Sequence, residues 1–264
     1  MRVIVASRAD PVSMNIVDIL VQSYGFSEGG LNLYRRGEIL LKIITKKHIF
    51  ADGLAEDLDP ELAIVVSSHR SESGVSALLT HPVGNWGADA SMGGYPRTLS
   101  PTSSAALYIS LHALSEQLAD LGLSGWRVGL EVTHHGPATR VPTIFIEAGG
   151  PPDKLPERRA IEAVAAASLK VAESRLSVPP AAIGFGGGHY APSFTRLVLE
   201  GEYSFGHMCP KYAMPIDRDM VIQAFEKTIE RPGIAVLDWK GLKGGDKSEI
   251  ISILNELGIE WVKA

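Results

Sequence analysis

Cysteine is almost missing from this chain: 264 residues hold one, Cys209. No internal disulfide can form, which fits a reducing cytoplasm. Cysteine-rich zinc sites are excluded as well. Any zinc must be held by His, Asp or Glu, a donor set more typical of catalytic than of structural metal. No apolar run approaches the roughly 20 residues that cross a bilayer. The start, Met1-Arg2-Val3-Ile4-Val5-Ala6-Ser7, is too short and too soon polar for a signal peptide and reads as a first strand. Excess positive charge is missing too. The net charge of −5 argues against a protein that coats nucleic acid. Arg35-Arg36, Lys46-Lys47 and Lys240-Gly241-Leu242-Lys243 are local basic stretches that read as solvated faces. There is no P-loop, no Rossmann fingerprint, no His-Glu-x-x-His helix and no nucleophile elbow. Nucleotide hydrolases, zincins and serine hydrolases thus find no support.

What the chain has is histidine beside glycine. Of eight histidines, five sit in segments that pair imidazole with glycine and other polar groups. These are Thr80-His81-Pro82-Val83-Gly84-Asn85-Trp86-Gly87, Glu131-Val132-Thr133-His134-His135-Gly136-Pro137, Gly186-Gly187-Gly188-His189-Tyr190-Ala191-Pro192 and Phe205-Gly206-His207. A sixth, His69, lies in Ser67-Ser68-His69-Arg70-Ser71. Imidazole moves protons or binds metal near neutral pH, and glycine lets backbone approach a ligand. The pattern points to a reaction centre.

Strand and helix signals alternate. Asp10-Pro11 supplies an N-cap and a first-turn proline to a helix ending before Gly25. Residues 39–45 and 62–67 read as buried strands, 127–133 and 143–148 as further strands, and 182–185 and 234–238 as short ones. Helices are expected at 103–121, 157–175, 218–229 and 247–257. This predicts one α/β domain over 1–264, with a mixed or mainly parallel sheet and helices on both faces. The Gly-, Ser- and Pro-rich stretch from Thr80 to Pro101 is too long for an ordinary connection. Gly149-Gly150-Pro151-Pro152 reads as a loop before a helix.

Ligands in open α/β sheets bind at the carboxyl ends of strands. Three strand ends deliver Glu131 with His134-His135, Gly186-Gly187-Gly188-His189, and Asp238-Trp239-Lys240. Glu131 with His134 reads as a metal or acid–base cluster, against one buried and one exposed histidine. The triple glycine reads as a cradle for an anion through backbone N–H groups, against a tight turn without ligand. Trp86 reads as a stacking surface for a base, against an anchor of its loop. His48 and His112 read as structural or surface residues.

Taken together these segments resemble the archaeal and plant type of D-aminoacyl-tRNA deacylase. Further matching segments are Ser13-Met14-Asn15-Ile16, Pro142-Thr143-Ile144-Phe145-Ile146-Glu147, Pro210-Lys211-Tyr212-Ala213 and Asp238-Trp239-Lys240-Gly241. They cover essentially the whole chain. One departure is Ala138, where the family pattern has Thr directly after His-His-Gly-Pro; here Thr139 comes one later. The resemblance implies a three-layer α/β/α fold with a mixed, mainly parallel sheet, similar to phosphorylase/hydrolase-like proteins. It implies hydrolysis of the ester joining a D-amino acid to tRNA, zinc as cofactor, a role in translation quality control, and a cytoplasmic monomer.

On this reading His134, His189, Glu131 and His81 are the catalytic candidates. His134, His189, His207, Glu131 and Asp238 are the candidate zinc ligands. Gly186, Gly187, Gly188, Trp86, His69, Lys211 and Lys240 are candidates for holding substrate. His81, Glu131, His134, His189 and His207 are expected to converge on one pocket. A metal-dependent peptidase or amidohydrolase on the same fold, and a non-catalytic module binding tRNA or nucleotide ends, are the alternatives.

Overall fold

Buried runs of Val, Ile, Leu and Ala form the inner strands of two sheets. In the computed structural model, residues 1–70, 74–151, 155–175 and 177–264 are described. Ser71 and Pro152, which belong to segments named above, lie outside them. The strands are β1 (Arg2–Ser7), β2 (Ser27–Gly30), β3 (Leu33–Arg36), β4 (Ile39–Ile44), β5 (Leu62–Arg70), β6 (Ala77–Pro82), β7 (Gly84–Asn85), β8 (Thr98–Leu99), β9 (Arg127–Leu130), β10 (Thr143–Gly150), β11 (Ala181–Phe185), β12 (Ser204–Cys209), β13 (Ile234–Leu237) and β14 (Glu260–Lys263). The helices are α1 (Pro11–Tyr24), α2 (Ser104–Asp120), α3 (Arg158–Glu173), α4 (Pro192–Leu199), α5 (Arg218–Glu226) and α6 (Gly244–Glu256). No helix of the described residues is long and apolar enough to cross a membrane.

The larger sheet runs β2-β3-β4-β1-β5-β10-β6-β9. It is mixed: β4-β1-β5-β10 and β6-β9 pair in parallel, and the other pairs are antiparallel. The smaller sheet, β12-β11-β13-β14, is wholly parallel. The expected mixed α/β architecture is present, with its strands divided between two sheets. Helices α1, α2 and α3 cover one face of the larger sheet, where Ile64, Val66, Ile144 and Ile146 are buried. On the opposite face Val65 and Phe145 pack with Leu54 and Ala55. Helices pack on both faces of the smaller sheet.

Helix α1 begins as the sequence predicts. Asp10 accepts from the N–H of Val12 at 2.9 Å, Pro11 follows, and Gly25 closes the helix with φ +73°. A proline at the first turn loses no needed donor, and glycine takes the left-handed cap at no steric cost.

The segment after β9 joins the two sheets. Glu131 N–H donates to Thr80 O on β6 (3.1 Å). Val132 N–H donates to His189 O and Thr133 N–H to Met208 O, at 3.0 and 2.9 Å. Three consecutive amides thus tie the ends of β6, β11 and β12 to one line of chain, and the site forms there.

Candidate active site

Strand alternation and register assemble the first half of the site. Phe145 and Glu147 share one face of β10 because side chains two apart point the same way. Glu147 lies opposite Ser67 on β5 and Phe145 opposite His81 on β6. That face lies away from α1–α3. It therefore carries Ser67, His69, His81 and Glu147 together. Ser67 Oγ donates to Glu147 Oε1 at 2.6 Å. His81 Nε2 stands 3.6 Å from Glu147 Oε1, and His69 Nδ1 3.5 Å from Oε2. The His81 ring stacks on Phe145, with centroids 5.1 Å apart.

The second half comes from the joining segment and the turn after β11. His135 has a left-handed backbone, φ +44°, a conformation costing about 1–2 kcal/mol outside glycine. Neighbouring side chains of a strand would point apart. Here the strand has ended, and the His134 and His135 rings lie on the same side, 4.3 Å between centroids. His134 is 4.3 Å from the His81 ring and 4.5 Å from the His189 ring. Carbonyl groups fix three rings through Nδ1: Val132 O for His134 (2.8 Å), Gly136 O for His135 (2.6 Å) and Pro82 O for His81 (3.1 Å). His189 Nδ1 is 3.1 Å from the Tyr212 hydroxyl.

Glu131 lies at the centre and is wholly buried. His189 Nε2 is 2.9 Å from its Oε1, but off the line a ring N–H bond requires; neither carboxylate oxygen accepts a hydrogen bond among the described residues. His69 Nδ1 and His81 Nε2 approach it at 3.7 and 4.0 Å. A buried carboxylate without donors is costly unless a cation joins it.

Burial and charge divide the imidazoles into two kinds. Burial lowers the pKa of His69 and His81, but contact with Glu147 and the charge of Glu131 outweigh it, so both stand above the ordinary histidine value. Burial alone would raise the Glu147 carboxyl; the close approach and charge of His69 and His81 hold it well below the carboxylate range. Burial, with the neighbouring imidazoles His81 and His135, takes His134 well below the histidine value. Burial takes His135 down to about 3. His69 and His81 thus favour the proton, while His134 and His135 stay neutral and keep a lone pair.

Three groups have ligand atoms within 4.8 Å of one another: His81 with His134 and His135; Glu131 with His134 and His189; His69 with Glu131 and Glu147. The arrangement borders a cleft of 720 Å³. It offers neutral imidazoles and carboxylates to a cation beside imidazolium groups that can donate a proton.

A family model described as D-aminoacyl-tRNA deacylase matches residues 56–262. The chain belongs to the D-aminoacyl-tRNA deacylase family. A D-aminoacyl-tRNA deacylase of Pyrococcus horikoshii is 37% identical over 278 aligned positions, with 100% of both chains covered. One of Methanosarcina acetivorans is 38% identical over 234 positions, covering 86% of this chain and 77% of that protein. A solved crystal structure of a conserved protein of unknown function superposes with a TM-score of 0.90 at 28% identity, covering 100% of this chain and 95% of that one.

Within this deacylase fold, His81, Glu131, His134 and His189 come together, with His69 beside them. His207 does not. It lies inside β12 rather than past its end, wholly buried, with Nδ1 3.1 Å from Thr133 Oγ1 and its ring edge-on to Trp86 at 6.4 Å. Asp238, expected among the metal ligands, turns inward instead. Its Oδ1 accepts from Gly241 N–H at 3.1 Å.

The triple glycine is a packing turn. Gly186 N–H is already spent on Cys209 O (2.8 Å), and Gly187 O accepts from Lys211 N–H (3.0 Å). A Cβ on Gly186, at φ +105°, would stand 2.8 Å from Leu242. Gly186 and Gly187 make room for Leu242 and Asp238, so the cradle expected at Gly186, Gly187 and Gly188 has no free Gly186 donor and lies outside the cleft lining. The Trp86 ring is buried in the core of the smaller sheet, edge-on to Phe185 at 6.5 Å. It anchors its loop, and its edge also lines the cleft. Lys211 and Lys240 are exposed at the edge of the smaller sheet, outside the cleft lining.

Sequence reasoning named Glu147, His135 and His48 but left them out of the candidate site residues. Glu147 carried a legible signal: a lone carboxylate in the apolar strand Thr143–Gly150. His48, read as structural or surface, is buried and lines the cleft, with Nε2 3.3 Å from Ser13 Oγ.

Proposed function

We propose that this chain hydrolyses the ester joining a D-amino acid to tRNA, releasing the free amino acid, as a quality-control step of translation. Membership of the family supports the reaction. The observation that carries the site is the buried Glu131 carboxylate, bare of hydrogen bonds and ringed by His69, His81, His134 and His189.

Zinc fits this site. The donors are imidazole and carboxylate, the set zinc takes in catalytic centres, and an orphaned buried carboxylate needs a cation. Glu131, His134 and His189 would hold the ion. When bound, zinc lowers the pKa of a coordinated water and polarises a carbonyl. The remaining residues move and hold protons. Neutral His135 keeps a lone pair that can accept a hydrogen bond in the cleft. His69, kept protonated by Glu147, can give its proton to the leaving ribose oxygen. The Tyr212 hydroxyl, 3.1 Å from the far nitrogen, orients the His189 ring.

The test is incubation of the protein, stripped of metal and then reloaded with zinc, with tRNA carrying D-Tyr or L-Tyr. Hydrolysis of the D-ester alone is expected, and only after reloading. Equal hydrolysis of both esters, or of neither, rejects the activity. Full activity of the stripped protein rejects the metal.

A further inference from the structure

The C-terminal edge of the smaller sheet carries a row of lysines that the cleft does not use. All four strands run in parallel, so their ends share one edge. The ends of β11 and β12 border the cleft through His189 and Tyr212. Outward from there come Lys211 after β12, Lys240 and Lys243 after β13, Lys247 on α6, and Lys263 on β14. All but Lys247 are exposed. At about 4.8 Å per strand the outer two strands stand roughly 14 Å apart. Among the described residues none of these lysines forms an ion pair, although Asp246 and Glu249 lie on the same helix. Asp238, the acid at the end of β13, is turned inward onto Gly241.

Two of the ammonium groups are held close together. Lys263 Nζ lies 3.9 Å and Lys247 Nζ 4.6 Å from the centroid of the same Trp239 ring. Trp261 lies parallel to that ring, 2° from coplanar at 6.4 Å. The electron-rich ring tolerates two cations that otherwise repel each other. A chain with net charge −5 has nevertheless placed five unpaired lysines on one edge that begins at its cleft.

We propose that this edge is the path of the acceptor-end sugar–phosphate backbone. Lys240, Lys243, Lys247 and Lys263 contact phosphates, and Trp239 braces the last two. The inference rests on the tRNA reading of the cleft. A substrate whose reacting ester sits in the cleft must lead a polyanionic tail out of it, and a row of unpaired ammonium groups is what that tail binds.

The experiment measures the affinity of uncharged tRNA against salt, a readout independent of ester hydrolysis. The variant is Lys240→Gln, Lys243→Gln, Lys247→Gln and Lys263→Gln combined, with Lys170→Gln on α3 as control. Each phosphate contact contributes roughly 0.7–0.9 to the slope of log K against log salt. The four-site variant is expected to lose about 3 from that slope and to bind at least ~10-fold more weakly at low salt, with Lys170→Gln unchanged. Arginine at the same four positions should restore both. Wild-type slope and affinity in the glutamine variant overturn the assignment, as does an arginine variant no better than the glutamine one. If the four-site variant fails to fold, Lys240→Gln with Lys243→Gln, both on an exposed loop, should lose about 1.5 from the slope, and no loss overturns the proposal. Binding through these lysines without D-ester hydrolysis sinks the deacylase reading alone. Hydrolysis indifferent to their loss sinks this one alone.

Discussion

Glu131→Gln should act in opposite directions on activity and on metal-free stability. The wild-type carboxylate is wholly buried and accepts no hydrogen bond, so the metal-free protein carries its desolvation cost. An unsatisfied buried polar group costs about 1–3 kcal/mol, more when charged. Replacing it by an amide of the same shape removes the charge and should recover about 1–3 kcal/mol. With about 2 cal/mol/K of unfolding entropy per residue over 264 residues, that is a rise of roughly 2–5 °C in melting temperature. Activity should move the other way. Loss of a charged ligand or acid–base group costs ~10²–10⁴ in rate, and the stabilisation zinc gives the wild type should shrink. The assay is thermal melting of chelator-stripped protein with and without added zinc, beside single-turnover hydrolysis of D-Tyr-tRNA. A metal-free variant several degrees less stable than the wild type would refute the reasoning. It would mean that Glu131 is satisfied by His189 as a structural ion pair.

His207 makes a pH prediction. Burial takes it to about 3, below its unfolded value of about 6.5, so its contribution to stability is fully present above pH 6.5 and is lost as pH falls toward 3. Between pH 7 and pH 5 the wild type should lose about 2 kcal/mol more than His207→Gln, read by urea unfolding at the two pH values; parallel losses would show that His207 is not held neutral by burial. Gly149→Ala should cost more than ~3 kcal/mol and abolish turnover, because its Cβ would stand 1.7 Å from the His69 carbonyl oxygen; a well-folded, active variant would contradict the close packing of β5 on β10. Gly188→Ala meets nothing within 4 Å and should change stability by less than ~0.5 kcal/mol, whereas Gly186→Ala should cost ~1–3 kcal/mol; the two melting curves decide between a packing turn and a ligand cradle. Tyr212→Phe should lower kcat about 10-fold with KM little changed, since it frees the far nitrogen of His189; an unchanged kcat would remove Tyr212 from the positioning of that ring.

Much of the fold was readable where local pattern decides structure. The apolar β-branched run at residues 39–45 became β4, and 62–67 became the body of β5. The Asp10-Pro11 start and Gly25 stop framed α1. Strands β2, β3, β6, β7, β8, β12 and β14 escaped, as did α4; two of these strands border the site. Ala77–Pro82 has no Val or Ile and ends in proline, so part of it read as loop. Ser204–Cys209 mixes glycine, histidine and cysteine without alternation. The division into two sheets was illegible because strand pairing is set by contacts far apart in sequence, such as β10 beside β5 and β6. The expected convergence held for residues just past a strand end, which are free to turn: Glu131, His134 and His189. It failed for His207, which is still in β12, where alternation points it with Cys209 into the core. The same rule separates Asp238, whose carboxylate closes its own turn.

The placement of one carboxylate explains how a single cleft holds both protonated and neutral imidazoles. Register sets Glu147 between Ser67 on one neighbouring strand and the His81 strand on the other, so its charge is spent on His69 and His81. His134 and His135 lie beyond the end of β9, outside that pairing, and their near neighbours are other imidazoles. Burial therefore outweighs the carbonyl contacts of both rings and the charge of Glu147 on His135, and is reinforced by the positive charge of His81. Were Glu147 moved by one position along β10, alternation would turn it to the helix-covered face. His69 and His81 would lose their main counter-charge and be driven toward the neutral form. Proton donors and lone-pair donors are thus sorted by the pleat of a single strand.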